Sequence, residues 1–176
     1  MCVDGSTYVF TTLVAEEQDP PLQELGADIE AYQHLRSISL VKNELTGVAE
    51  LAKLPYLLTA NLSENQIENI DFFGTEKEAF QFLQIANFST NKLKAIPEIN
   101  APNLQTLNLN TNEIESAEAF KGHDNLKLLE IRKNQLPACV GLSGMPQLTE
   151  LYLAENVLKT IKDLTDLPNL KRLHLR

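Results

Sequence analysis

Two cysteines, three histidines and no run of 18 or more apolar residues occur among the 176 positions of this chain. Each scarcity removes a class of function. Without a long apolar run there is no candidate membrane-spanning helix, and the first residues lack the basic-then-apolar order of a signal peptide. Asn61–Ser63 and Asn87–Ser89 match the glycosylation sequon, but in a chain with no secretion signal the match carries no weight. The expectation is a soluble, cytoplasmic protein. Cys2 and Cys139 are too few and too far apart for a disulfide framework, so a reducing compartment and a packing role for Cys139 are expected. His34, His123 and His174 are scattered and do not make a metal-ligand set. No nucleophile stands beside a base, and neither a glycine-rich phosphate loop nor a Gly-x-Ser-x-Gly elbow is present. Nothing therefore points to an enzyme, a metal or a cofactor, or to a small-molecule substrate.

Positive charge is also scarce in one half. Residues 1–88 hold 14 acidic and 4 basic side chains, whereas 89–176 hold 10 and 11. An acidic front half repels phosphate backbones, and no Lys/Arg cluster with interleaved aromatics appears, so nucleic-acid binding is disfavoured.

What the chain does have is a repeat. Asn43, Asn65, Asn91, Asn112, Asn134 and Asn156 recur at gaps of 22, 26, 21, 22 and 22 residues, each in a LxxLxLxxNxL pattern. A period of about 20–29 residues with this pattern is that of leucine-rich repeats, each unit supplying one short strand and one return segment of a solenoid. The first apolar column runs Leu35, Leu57, Leu83, Leu104, Leu126, Leu148 and Leu170. The second runs Ile38, Ala60, Ala86, Leu107, Leu129, Leu151 and Leu173. A third runs Leu40, Leu62, Phe88, Leu109, Ile131, Leu153 and Leu175, and alternation along each strand turns all of these inward. At the strand exits, backbone polar groups turn into the interior, where an Asn amide supplies both donors and an acceptor. The six asparagines are thus expected to be structural.

The predicted fold is an α/β, right-handed leucine-rich-repeat horseshoe with a parallel concave sheet. Six full repeats of about 22 residues cover 35–169 and a truncated seventh follows, so that 35–176 is the repeat domain. The last unit stops two residues short of its Asn position, which implies either further residues downstream or a partner that completes the stack. Residues 1–34 read as an acidic segment and a degenerate capping repeat, with a strand over Tyr8–Val14. The long second repeat carries an insert, Asp71–Phe82, in which Thr75–Glu78 reads as a capping box opening a short helix. His123 falls in the column of Leu54, Met145 and Leu167, at the edge of the core.

Outward strand positions line the concave face. Seven strands about 4.8 Å apart give a groove roughly 30 Å long, suited to a helix or extended peptide of a protein partner. Asn61, Asn87 and Asn108 read as an amide ladder between neighbouring strands. Glu130, Arg132, Glu150, Tyr152, Arg172 and His174 form the partner-binding candidate, because aromatic and Arg side chains dominate interface hot spots.

The runs Leu83–Asn91, Ala101–Leu109, Leu151–Asn156 and Leu167–Arg176, with Ala86 and Phe88 where Leu is usual, resemble the leucine-rich-repeat proteins of radial spokes in motile cilia. The resemblance covers roughly 22–176. It implies a non-catalytic scaffold of the axoneme in a large complex with other spoke proteins, located in the cilium or flagellum. The chain is also similar to the 22-residue-repeat regulator of protein phosphatase 1, which implies the alternative of a regulatory subunit gripping a phosphatase catalytic subunit in its concave face. Its longer second unit and basic-leaning second half depart from that regulator's uniform, acidic array.

Overall fold

A computed structural model describes residues 9–76 and 78–176; Cys2, Tyr8 and Lys77 lie outside the described residues. Eight three-residue strands make one parallel sheet in sequential order. They are β1 (Thr12–Val14), β2 (Ser37–Ser39), β3 (Thr59–Asn61), β4 (Ile85–Asn87), β5 (Thr106–Asn108), β6 (Leu128–Glu130), β7 (Glu150–Tyr152) and β8 (Arg172–His174). Every pairing keeps the same register, Ile38 facing Ala60, Ala60 facing Ala86, and so on to Leu151 facing Leu173. That register follows from the columns, since a slip of one residue would turn every inward Leu to solvent.

The N-terminal segment is more regular than its sequence suggests. β1 adds an eighth strand to the sheet, Leu13 opposite Ile38. Val9–Thr11, within the expected strand, are not part of it. The return segments, in contrast, contain little helix. Ala27–Ala31 and Ala49–Lys53 are short 3-10 helices, and the one α-helix among the described residues, α1, is Phe72–Thr75. Thr75 ends that helix, so the capping box expected to open one over Thr75–Glu78 does not do so. The reason is apolar. Phe72 and Phe73 on α1 and Phe80 beyond it are buried together, with the Phe73 ring centroid 4.5 Å from Phe80 and 6.0 Å from Phe88. The insert is folded inward by three aromatic rings, and burying such side chains outweighs a cap bond of about 1 kcal/mol.

Within the core the apolar columns of β2 to β7 are buried, and Leu83, Leu104, Leu107, Leu129 and Leu151 are fully so. Leu173, on β8, is 38 % exposed because no coil lies against its far side. Cys139 is fully buried in its column, and burial pushes its thiol pKa up, with Asp163 adding to the shift. His123 is 9 % exposed. Its Nε2 lies 3.0 Å from the Ala101 carbonyl and its Nδ1 accepts the Asn125 N–H at 3.3 Å, which fixes the ring as the neutral Nε2–H tautomer.

Each asparagine of the repeat ties two coils. Asn65 donates from Nδ2 to the carbonyls of Leu62 (3.1 Å) and Ser63 (3.1 Å) in its own coil and of Leu40 (2.9 Å) in the preceding one, while its Oδ1 accepts the Leu45 N–H (3.1 Å). Asn43, Asn91 and Asn112 repeat all four contacts. Asn134 and Asn156 likewise bridge to the coil before them, accepting the N–H of Ile114 and Leu136.

The residue before each asparagine takes a left-handed conformation. Lys42, Glu64, Thr90, Thr111, Lys133 and Glu155 all have φ between 54° and 58°. Five of these backbone N–H groups donate to the next coil, as Thr111 does to the Arg132 carbonyl at 2.8 Å, which repays the conformational cost. Glycine is required where return segments touch. A Cβ at Gly141, where φ is 88°, would stand 1.8 Å from the Ala117 carbonyl oxygen.

Candidate functional site

The strands expose alternate residues on the sheet's outer face, and in β6, β7 and β8 these are large and charged. Register places Glu130, Tyr152 and His174 in one row and Leu128, Glu150 and Arg172 in the row beside it. Arg132 follows β6 one step further along. The six residues singled out in the sequence are therefore neighbours in space, and a chain of contacts joins them.

Tyr152 is at the centre. The Arg132 guanidinium lies over its ring, 4.0 Å from the centroid, and the His174 ring meets it edge-on at 5.6 Å. Its hydroxyl donates to Glu150 Oε2 at 2.7 Å, and Arg172 Nη2 stands 3.3 Å from Glu150 Oε1. The hydrogen bond to Glu150 raises the Tyr152 hydroxyl pKa, burial and the carboxylate charge add to the rise, and Arg172 opposes it. Three partners thus hold one phenol ring in place. An aromatic side chain pre-ordered in this way loses little entropy on binding, which is the property of an interface anchor.

Asn110 joins the remaining members and was not legible as part of the cluster. Its Nδ2 donates to Glu130 Oε2 at 2.5 Å and its Oδ1 accepts the Arg132 N–H at 2.7 Å. Arg132 Nε is buried and has no hydrogen-bond partner among the described residues. The row position of Asn110 next to Arg132 was the available signal.

The front of the same face is different. Asn61, Asn87 and Asn108 do not form the expected ladder between strands. Their Oδ1 atoms accept the N–H two residues on, from Ser63 (3.3 Å), Ser89 (3.0 Å) and Asn110 (2.9 Å). Each closes a turn in its own coil, as a short Asn side chain does more readily than it spans to a neighbour.

Elsewhere the buried histidine is committed to structure. A cleft of about 530 Å³ is lined by Pro102, Phe120, His123 and Asn125 among others, but both His123 ring nitrogens already serve the backbone. Burial lowers the His123 pKa, so the ring there is an uncharged structural group. No three His, Cys, Asp or Glu side chains among the described residues stand close enough to hold a metal ion. Nor is any helix among them long and apolar enough to cross a membrane.

No family model matches the chain. It is 33 % identical over 111 residues, 63 % of its length, to human leucine-rich repeat-containing protein 23. To the bovine protein of the same name it is 31 % identical over 65 % of its length. The chain spans about a third of these relatives, 30 % and 32 % of their lengths. Among solved structures, internalin C2 of Listeria monocytogenes superposes with a TM-score of 0.78 at 21 % identity, over 96 % of this chain and 77 % of that one. Internalin F of the same organism gives 0.51 at 22 % identity, over 77 % and 45 %. The chain is a leucine-rich-repeat solenoid, similar over nearly two thirds of its length to leucine-rich repeat-containing protein 23.

Proposed function

We propose that this protein is a non-catalytic scaffold of the ciliary axoneme, a radial spoke component that binds other spoke proteins and supports ciliary motility. The observation that carries a protein-binding role is the Tyr152 cluster, an aromatic ring fixed by Arg132, Glu150 and His174 on the outer face of a parallel sheet. The assignment to the spoke rests on the resemblance of the repeats. Eight strands about 4.8 Å apart make a face roughly 34 Å long, which accommodates a helix or extended segment of another subunit. Glu130, Arg132, Glu150, Tyr152, Arg172 and His174 are the contact residues of this reading.

Cross-linking mass spectrometry in isolated motile cilia tests it, with Lys127, Lys133, Lys159 and Lys171 as reporters around the cluster. Links from these lysines to spoke proteins support the proposal. Links chiefly to a phosphatase catalytic subunit, or absence of the protein from cilia, overturn it in favour of a regulatory subunit. The contact surface is tested by changing Arg132 and Tyr152 to Ala together. Loss of spoke-protein binding with an unchanged unfolding transition is the expected result.

A further inference from the structure

A second surface lies at the other end of the molecule, on the flank where the chain enters the strands. Four aromatic side chains occupy that flank on the first four coils, Phe10, Tyr32, Tyr56 and Phe82, and they are 72 %, 46 %, 41 % and 47 % exposed. They touch in pairs. Phe10 and Tyr32 meet edge-on at 6.3 Å, and Tyr56 and Phe82 lie 5.9 Å apart. The Arg36 guanidinium covers the Tyr56 ring at 4.7 Å while donating to the Tyr56 carbonyl at 3.2 Å.

Three of the four later coils carry an amide clip at this place, and Gln147 occupies the place in the other. Asn103, Asn125 and Asn169 hold the position of Tyr56 and Phe82, immediately before the first Leu of their coils. Each donates its amide to a carbonyl of the coil before, Gln81 (2.6 Å), Pro102 (2.7 Å) and Pro146 (2.7 Å). Tyr56 and Phe82 give up that clip and leave apolar surface in water, an arrangement that marks an interaction surface on a soluble protein.

Charge identifies the occupant. Residues 9–35 carry six acids and no Lys or Arg. Glu17 and Glu30 are paired with Lys42 and Lys53, Glu16 accepts from Ser39, and Arg36 is held on the Tyr56 ring. Asp19, Glu24 and Asp28 have no ion pair among the described residues, and Glu24 lines one cavity with Phe10 and Tyr32. Four coils about 4.8 Å apart make a ridge roughly 14 Å long, the span of about ten helical residues. We propose that this aromatic ridge docks a basic amphipathic helix of a partner protein, whose apolar side chains pack on Tyr32, Tyr56 and Phe82 while its Lys and Arg residues face the acidic first coils. This surface is separate from the Tyr152 cluster, so the scaffold holds two partners.

Fluorescence anisotropy with a labelled 14-residue Leu/Lys amphipathic helix, titrated with the whole chain, tests the proposal. The Leu/Lys helix should bind, and doubling the salt from about 0.15 M should weaken it several-fold. A Leu/Glu helix of the same pattern should bind at least about tenfold more weakly. Changing Tyr56 and Phe82 to Ser together should cost a further factor of about ten, whereas the Arg132→Ala, Tyr152→Ala pair should leave affinity unchanged. Equal binding of the two helices, no binding of either, or no effect of the ridge substitutions overturns the proposal. So does a wild-type dimer in sedimentation that becomes monomeric with the ridge substitutions, which would assign the face to a second copy. The comparison of the two helices uses the unsubstituted protein and stands even where the Ser substitutions impair folding.

Discussion

Replacing Asn112 separates the two jobs its amide does. Oδ1 accepts the buried Leu93 N–H at 3.0 Å, and Nδ2 donates to the carbonyls of Phe88 (3.0 Å), Leu109 (3.1 Å) and Asn110 (3.3 Å). Those carbonyls keep other partners when the amide is removed: Asn91 for Phe88, Asn134 for Leu109 and the Thr90 N–H for Asn110. Asn112→Ala therefore orphans one group, the Leu93 N–H, and should cost about 1–3 kcal/mol rather than four bonds' worth. Asn112→Asp has nearly the same shape and keeps an acceptor for Leu93, yet it turns a second carboxylate oxygen toward three carbonyls. That buried, unpaired charge should cost about 3–5 kcal/mol at neutral pH, more than Ala does. The carboxyl is then easier to protonate in the fold than in the unfolded chain, because the protonated form can donate to a carbonyl. Its folded pKa lies above the unfolded one, so the excess penalty is complete above the folded value and fades as pH falls toward about 4. Urea unfolding of wild type and both variants at about pH 7 and pH 4 measures this, with hydrogen exchange at Leu93 reporting the orphaned amide. Equal destabilisation by Ala and Asp at neutral pH would refute the reasoning, since it would mean that water reaches the site.

Thr111 is exposed and β-branched at a φ of 57°, so Thr111→Gly should raise stability by about 0.5–1 kcal/mol, the left-handed strain removed less the chain entropy added, read as a higher urea midpoint. His123 has a folded pKa below its ordinary 6.5, so its contribution to stability is complete above that value and declines as pH falls below it. His123→Leu, which matches Leu54 and Leu167 in the same column, should remove that part of the acid sensitivity in thermal unfolding across about pH 7 to 5. Ala86→Leu restores the usual repeat residue and should still destabilise by about 1–3 kcal/mol in chemical denaturation, because Ala86 on β4 and Phe88 just after it are both fully buried.

The sequence was readable where one chemical requirement recurs at one spacing. The six Asn positions and the Leu columns were visible because only an amide, or only an aliphatic side chain, meets the need at those places. The left-handed residues before the asparagines were not visible. Lys42, Glu64, Thr90, Thr111, Lys133 and Glu155 share no residue type, and in the first five the conformation goes with a backbone bond to the next coil and not with the side chain. The membership of the Tyr152 cluster could be read from strand alternation, but the bonds by which Asn110 joins Glu130 to Arg132 could not, because they depend on rotamers. Asn61, Asn87 and Asn108 misled for a related reason. A row of like side chains on neighbouring strands looks like a ladder, whereas each prefers the closer partner in its own turn. At Thr75–Glu78 a local helix signal lost to three buried phenylalanines, whose spacing matched no repeat template.

Those phenylalanines also account for the largest break in the period. The second column shrinks to Ala60 and Ala86 in two consecutive coils, where Leu would ordinarily fill the interior. Phe88 in the third column, with Phe72, Phe73 and Phe80 from the insert, supplies the missing volume, and an interior packed to crystal-like density cannot leave it empty. Extra length in the second repeat and small residues in the sheet are thus two halves of one packing solution. The insert's backbone also accepts from the following coil, the Asn100 N–H donating to the Phe73 carbonyl (3.0 Å) and its Nδ2 to the Gly74 carbonyl (3.0 Å). This junction lies at the end of the aromatic ridge, whose last ring is Phe82, and precedes the mixed-charge coils that bear Tyr152. It is packed and hydrogen-bonded through, so on the two-partner proposal it is the element that sets the spacing between the ridge and the Tyr152 cluster.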